Sequence, residues 1–281
     1  MERAYTLGLY EKAMPSDLTW REKLLAAKEA GFDFVEISID ETDAKLSRLD
    51  MTKEERLGLV QLMQETGVPI RTMCLSGHRK YPLGSSDPAV EARGIEIMEK
   101  AIRLAEDLGI RIIQLAGYDV YYEESTFETK KRFLANLKKA ADMAAKAGVT
   151  MGFETMENEF MNTVEKAMKY VTLVGSPYLN VYPDIGNITN AAKTYENDVL
   201  EDLELGKGHI VAMHLKETVP GKFREIPFGT GHVDFESAVT KAWELGVRKY
   251  VTEFWYTGNP GWKEDLTFAN EMFTRILNGR A

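Results

Sequence analysis

The sequence predicts a single (β/α)8 TIM barrel of the α/β class over residues 1–281. Three observations predict it: eight short β-rich segments, a glycine at each of the seven helix-to-strand junctions between them, and no linker-like interruption. The length agrees, since such a barrel needs about 250 residues.

The eight β-rich segments are 5–10, 32–39, 70–76, 110–117, 150–155, 179–185, 210–216 and 250–256. Amphipathic stretches lie between them. Trp20, Leu24 and Ala27 share one helical face, as do Phe268, Met272, Phe273, Ile276 and Leu277. A chain leaving a helix for a strand favours glycine just past the helix end, because that residue usually takes φ > 0. Gly31, Gly67, Gly109, Gly148, Gly175, Gly208 and Gly246 occupy these places. An open doubly wound sheet shares the βα unit, but eight strands with seven such junctions favour closure. Ser16-Asp17, Ser86-Asp87-Pro88 and Asp234-Phe235-Glu236 read as helix starts. The long segments 76–88 and 217–234 then fall on the barrel's C-terminal face, where such folds build their sites.

Hydrophobic residues make up 44% and charged residues 28%, the composition of an ordinary globular core. The net charge of −9 disfavours nucleic acid and anionic lipid as partners. An anionic substrate would need a local basic pocket. Cys74 is the only cysteine, so no intrachain disulfide can form, which fits a reducing cytoplasmic compartment. Cys74 itself reads as a small core filler. No run approaches the roughly 18 apolar residues of a membrane span.

Parallel barrel strands all end at one mouth. The fifth segment ends at Glu154, the sixth at Asp184, and the seventh and eighth carry His214 and Glu253. Each has apolar neighbours. Alone, any of these carboxylates could be a strand-end residue in a surface ion pair. Together, three carboxylates and an imidazole suit one divalent ion such as Zn2+, Mn2+, Co2+ or Mg2+. Without an ion, converging carboxylates would repel and at least one would take a proton.

The phrases GLYEKAMP (8–15), SIDETDAKLSRLD (38–50), CLSGHRKYPLGSSDP (74–88), DIGN (184–187), HLKET (214–218) and REIPFGTGHVDF (224–235) resemble the L-ribulose-5-phosphate 3-epimerases. These belong to the xylose-isomerase-like barrel superfamily and serve L-ascorbate utilisation. The resemblance implies a metal set on Glu154, Asp184, His214 and Glu253, the same four that the strand ends supply, with Zn2+ or Mn2+ the first candidates. It also implies a homodimer. Endonuclease IV-like relatives hold three zinc ions with several histidines. This chain has only His78, His209, His214 and His232, and His209 opens its strand at the opposite end from the mouth.

The implied reaction interconverts L-xylulose 5-phosphate and L-ribulose 5-phosphate. The C3 proton leaves to give a cis-enediolate and returns on the other face, with the metal polarising the O2 and O3 oxygens. Inversion is served by two acid/base groups on opposite faces, and Glu154 and Glu253 form that pair. Asp184 and His214 would only hold the metal. His78, Arg79 and Lys80 in one loop, and Lys216, Lys222 and Arg224 in another, are the cations available to a phosphate. The second group lies beside the glycine-rich FGTG (228–231). Glu157, Glu217 and Asn187 are candidates to orient a ligand or a sugar hydroxyl; solvated loop carboxylates and a turn cap are the alternatives. Tyr10, Glu11, Trp255 and Tyr256 are expected at the sugar-facing rim, and Glu36 is a candidate to reach the pocket. An unphosphorylated ketose epimerase or sugar isomerase on the same barrel, and a non-catalytic sugar-phosphate binder, remain as alternatives.

Overall fold

A computed structural model describes residues 3–280; Met1, Glu2 and Ala281 of the expected 1–281 domain lie outside them. The elements alternate as β1 (Thr6–Tyr10), α1 (Trp20–Glu29), β2 (Phe34–Ile39), α2 (Asp43–Leu46), α3 (Lys53–Thr66), β3 (Ile70–Leu75), α4 (Pro88–Leu108), β4 (Ile112–Ala116) and α5 (Phe127–Ala147). The second half continues with β5 (Thr150–Glu154), α6 (Val164–Val174), β6 (Leu179–Val181), α7 (Ile185–Tyr195), α8 (Val199–Glu204), β7 (Met213–Leu215), α9 (Phe235–Glu244), β8 (Lys249–Thr252) and α10 (Trp262–Asn278).

All the strand pairs are parallel, in the order β6-β5-β4-β3-β2-β1-β8-β7. The remaining seam, β6 to β7, carries no continuous ladder. It is joined by single bridges, Val181 to Ile210 and Asp184 to His214. Backbone bonds from Val211 N to Val181 O (3.0 Å) and from His214 N to Pro183 O (2.9 Å) complete the ring.

Strand alternation sorts the side chains into two layers. Val35, Ile37, Ile39, Leu75, Ile113 and Leu115 join the large core between barrel and helices. Phe34, Cys74, Ile112, Tyr182 and Val251 fill a second cluster that lines the barrel interior. Gly8 makes room for the Phe34 ring, which a Cβ there would strike.

All seven junction glycines have φ > 0. The first helix start differs from the sequence expectation. α1 begins at Trp20 rather than after Ser16-Asp17, because Thr19 and Glu22 form a reciprocal capping box there. Asp87 and Asp234 do cap α4 and α9. The sixth strand is also shorter than its segment. It stops at Val181, and Asp184 instead caps α7, accepting a hydrogen bond from Asn187 N at 2.8 Å.

Candidate metal centre and active site

One donor atom from each of Glu154, Asp184, His214 and Glu253 lies within 4.8 Å of every other. Glu154 ends β5 and His214 is central in β7; Glu253 follows β8 directly. Asp184 reaches the same point from the cap of α7. All four are buried. From His214 Nδ1, Glu253 Oε2 is 3.2 Å away, Glu154 Oε1 3.8 Å and Asp184 Oδ2 3.9 Å.

The opposite imidazole nitrogen is occupied. His214 Nε2 is 2.6 Å from Glu36 Oε1, and the Tyr182 hydroxyl donates to Glu36 Oε2 at 3.0 Å. The Gln114 side-chain amide lies 3.2 Å from Nδ1. Tyr182 also stands edge-on to the His214 ring, 4.9 Å between centroids.

A single cation enters the carboxylate group. Lys216 Nζ stands 2.8 Å from Asp184 Oδ2 and 3.4 Å from Glu253 Oε2. Neither approach has the alignment of a hydrogen bond, and both oxygens are buried without a hydrogen-bond partner. Buried acceptors without donors are costly, and a divalent cation is the ligand that three carboxylates and an imidazole suit. The donor set therefore fits such an ion.

Burial raises the proton affinity of Glu154 and, more strongly, of Asp184, with the Glu253 charge adding to both. Burial would do the same to Glu253, but the Lys216 ammonium and His214 outweigh it and hold that carboxyl well below the usual range. For His214, burial disfavours the charged ring; Glu36 and Glu253 reverse this and raise it well above its ordinary value. The two glutamates are thus pushed in opposite directions.

The other residues singled out in the sequence fall into different environments. Arg79 stands against the Tyr118–Tyr121 pair, 5.7 and 5.0 Å from their ring centres. Glu157 is half-buried beside it and accepts from both tyrosine hydroxyls, at 2.9 and 3.3 Å. Asn187 is buried; its Nδ2 donates to Thr155 O at 2.7 Å, while its Oδ1 has no partner. Lys80, Lys222 and Arg224 are exposed, and the Arg224 guanidinium stands 5.6 Å from the Trp255 ring.

Several placements differ from expectation. His78 is buried against α4, with Nε2 3.0 Å from Gly94 O, and burial lowers its pKa to about 4. It therefore presents no cation to a phosphate at neutral pH. Lys216 faces inward, among the carboxylates, instead of joining Lys222 and Arg224. The Glu217 carboxylate is filled by its own loop, accepting from Thr218 N (3.1 Å), Gly229 N (3.0 Å) and Val233 N (3.2 Å). The glycine-rich turn wraps this carboxylate, and a Cβ at Gly231 would collide with it. Glu217 thus shapes the loop and is not free for a sugar hydroxyl.

The rim residues also change role. Tyr10 is buried, its hydroxyl 3.2 Å from Ser38 Oγ. Glu11 is buried under Lys23, Lys45 and Arg48 and accepts from Ser38 N at 2.9 Å. Trp255 is half-buried and Tyr256 exposed, at the mouth. Cys74 is buried and its thiol is pushed well up by burial, as suits a core filler. Among the described residues, no helix is long and apolar enough to cross a membrane. The sequence reading missed Gln114 and Tyr182; polar groups inside otherwise apolar strand segments are the signal that points to them.

Residues 24–272 match the family described as xylose isomerase-like TIM barrel. The chain is 50% identical over 256 residues to the L-ribulose-5-phosphate 3-epimerase UlaE of Salmonella paratyphi C (strain RKS4594), covering 91% of this chain and 89% of that one. The UlaE protein of Escherichia coli (strain SMS-3-5 / SECEC) matches to the same extent. Among solved structures, a D-allulose 3-epimerase from Methylomonas sp. superposes with a TM-score of 0.78 at 20% identity, over 97% of this chain and 98% of that one. An L-ribulose 3-epimerase superposes with a TM-score of 0.77 at 20% identity, over 98% and 95%.

Proposed function

The chain belongs to the xylose isomerase-like TIM-barrel family, and from that premise we propose that it is an L-ribulose-5-phosphate 3-epimerase, an isomerase that inverts C3 to interconvert L-ribulose 5-phosphate and L-xylulose 5-phosphate. The observation that carries this reading is the convergence of three carboxylates and one imidazole within 4.8 Å at the mouth of the barrel. The relatives named above give the substrate class.

Glu154, Asp184, His214 and Glu253 would hold one divalent ion, with Zn2+ or Mn2+ the first candidates and Co2+ or Mg2+ the others. When bound, the ion supplies Lewis-acid polarisation of the ketose oxygens. Glu154 and Glu253 approach the site from β5 and β8, with β6 and β7 between them. One takes the proton from C3 and the other returns a proton to the opposite face, so that the centre inverts. Asp184 and His214 hold, and move no proton. Asn187 offers its unpartnered Oδ1 to a sugar hydroxyl, and Glu157 keeps Tyr118, Tyr121 and Arg79 in register at the rim. Arg79 and Arg224, each beside aromatic rings, and the exposed Lys80 and Lys222 are the cations for the phosphate. The active unit on this reading is one barrel domain, acting in the cytoplasm as a homodimer.

The test is C3 hydrogen exchange. L-ribulose 5-phosphate in D2O with metal-loaded enzyme should gain deuterium at C3, and chelator should stop it. Metal-loaded enzyme that leaves C3 unlabelled would refute the reading.

A further inference from the structure

β2 carries a buried carboxylate, Glu36, inside the barrel. Glu36 points inward with Phe34 and Ser38, while Val35, Ile37 and Ile39 pack outward against the helices. Its side chain is fully buried, and a buried carboxylate persists only when it is paired and hydrogen-bonded. Both of its oxygens are engaged. Oε1 faces His214 Nε2 at 2.6 Å, and Oε2 accepts from the Tyr182 hydroxyl at 3.0 Å.

We infer that Glu36 is the positioning residue of the centre: by accepting a hydrogen bond from His214 Nε2, it fixes the ring orientation and leaves Nδ1 as the nitrogen aimed at the metal. A ring that donates its Nε2 proton to Oε1 leaves Nδ1 as the nitrogen free to act as a ligand. The ring then turns Nδ1, and no other atom, towards Glu154, Asp184 and Glu253, at 3.2 to 3.9 Å. A carboxylate behind a ligating imidazole sets its tautomer and raises its basicity. Tyr182 completes the support, since it grips Glu36 through its hydroxyl and abuts the imidazole with its ring. Within the donor cluster, Glu36 contacts His214 on the ring nitrogen that faces away from the three carboxylates. It acts only through His214.

This inference rests on the proposed metal site, but its test needs no sugar. Zn2+ affinity is measured by competition with a chromogenic chelator for the wild type, Glu36→Gln and Glu36→Leu. Glu36→Leu should bind Zn2+ about 10- to 100-fold more weakly. Glu36→Gln keeps the shape and one acceptor but loses the charge, so its loss should be smaller. The tautomer is read separately by 15N NMR of histidine-labelled, Zn2+-loaded protein, where only four histidines contribute. The wild type should show a slowly exchanging Nε2–H proton for His214, and Glu36→Leu should lose it. Should Glu36→Leu fail to fold, Glu36→Gln and Tyr182→Phe carry the comparison, each with a severalfold weaker affinity. Wild-type affinity and an unchanged Nε2–H signal in the folded variants would overturn the inference while leaving the epimerase reading intact. Weakened Zn2+ binding in an enzyme that never labels C3 would do the reverse.

Discussion

The Lys216 ammonium lies 2.8 Å from the Asp184 carboxylate, in a place where neither group meets solvent. It also comes within 3.4 Å of Glu253. One lysine thus balances part of the negative charge that the barrel mouth gathers. Removing one partner of a buried pair costs about 3–5 kcal/mol, because the other charge is left uncompensated. Lys216→Met should therefore destabilise the metal-free protein by roughly that amount. A divalent cation replaces the missing charge, so the loss should shrink with Zn2+ present. Urea unfolding with and without the metal measures both, and equal losses under the two conditions would contradict this.

The two-base reading makes a paired prediction. Glu154→Gln and Glu253→Gln should each lower epimerisation by about 100- to 10,000-fold, the usual worth of a positioned acid or base. Exchange into one C3 epimer can outlast exchange into the other, because each variant keeps one group. A variant with wild-type turnover in both directions would remove that residue from the proton path.

Substrate discrimination tests the rim. Arg79→Ala and Arg224→Ala should raise KM for L-ribulose 5-phosphate about tenfold or more, in keeping with the loss of a charge-assisted hydrogen bond. Turnover of unphosphorylated L-ribulose should hardly change. Steady-state kinetics on the two sugars gives the comparison, and an equal effect on both would assign these arginines to packing.

Glu11 should contribute a defined part of the acid sensitivity. Burial would raise its pKa, but Arg48, Lys45 and Lys23 together lower it from 4.5 to about 2. A depressed carboxyl stabilises the fold above the unfolded-state value and loses that contribution as pH falls through the folded one. The window therefore runs from about pH 4.5 down to about 2. The shift corresponds to a contribution on the order of 3 kcal/mol. In Glu11→Gln this acid-dependent part should vanish from pH-dependent unfolding curves, and the variant should be less stable at neutral pH.

The sequence carries the ring of elements plainly, since a junction glycine with φ > 0 is a local requirement that leaves a visible mark. Gly67, Gly109, Gly148 and Gly175 each follow a helix and sit in the left-handed region. The four donors are legible for the same reason: parallel strands deliver their ends to one mouth, so counting from the glycines finds them. What stays hidden is direction beyond the strands. Lys216 and Lys222 stand in one loop segment, yet the first turns into the carboxylates and the second out to solvent. Glu217 looks free in the sequence because its partners are backbone N–H groups, which no residue type announces. Glu11 looks like a rim residue until three cations from α1, α2 and the turn after α2 close over it.

The seam between β6 and β7 makes the four donor positions unequal in a way their chemistry does not. β5 is anchored to β4 by five register pairs, and β8 to β1 by four. Asp184 and His214 face each other across the one gap without a ladder and form one of its bridges. Glu154 and Glu253 can be changed on a hoop that stays shut. Asp184 and His214 sit where the circumference is thinnest, held by a backbone bridge and the bond from His214 N to Pro183 O instead of a ladder.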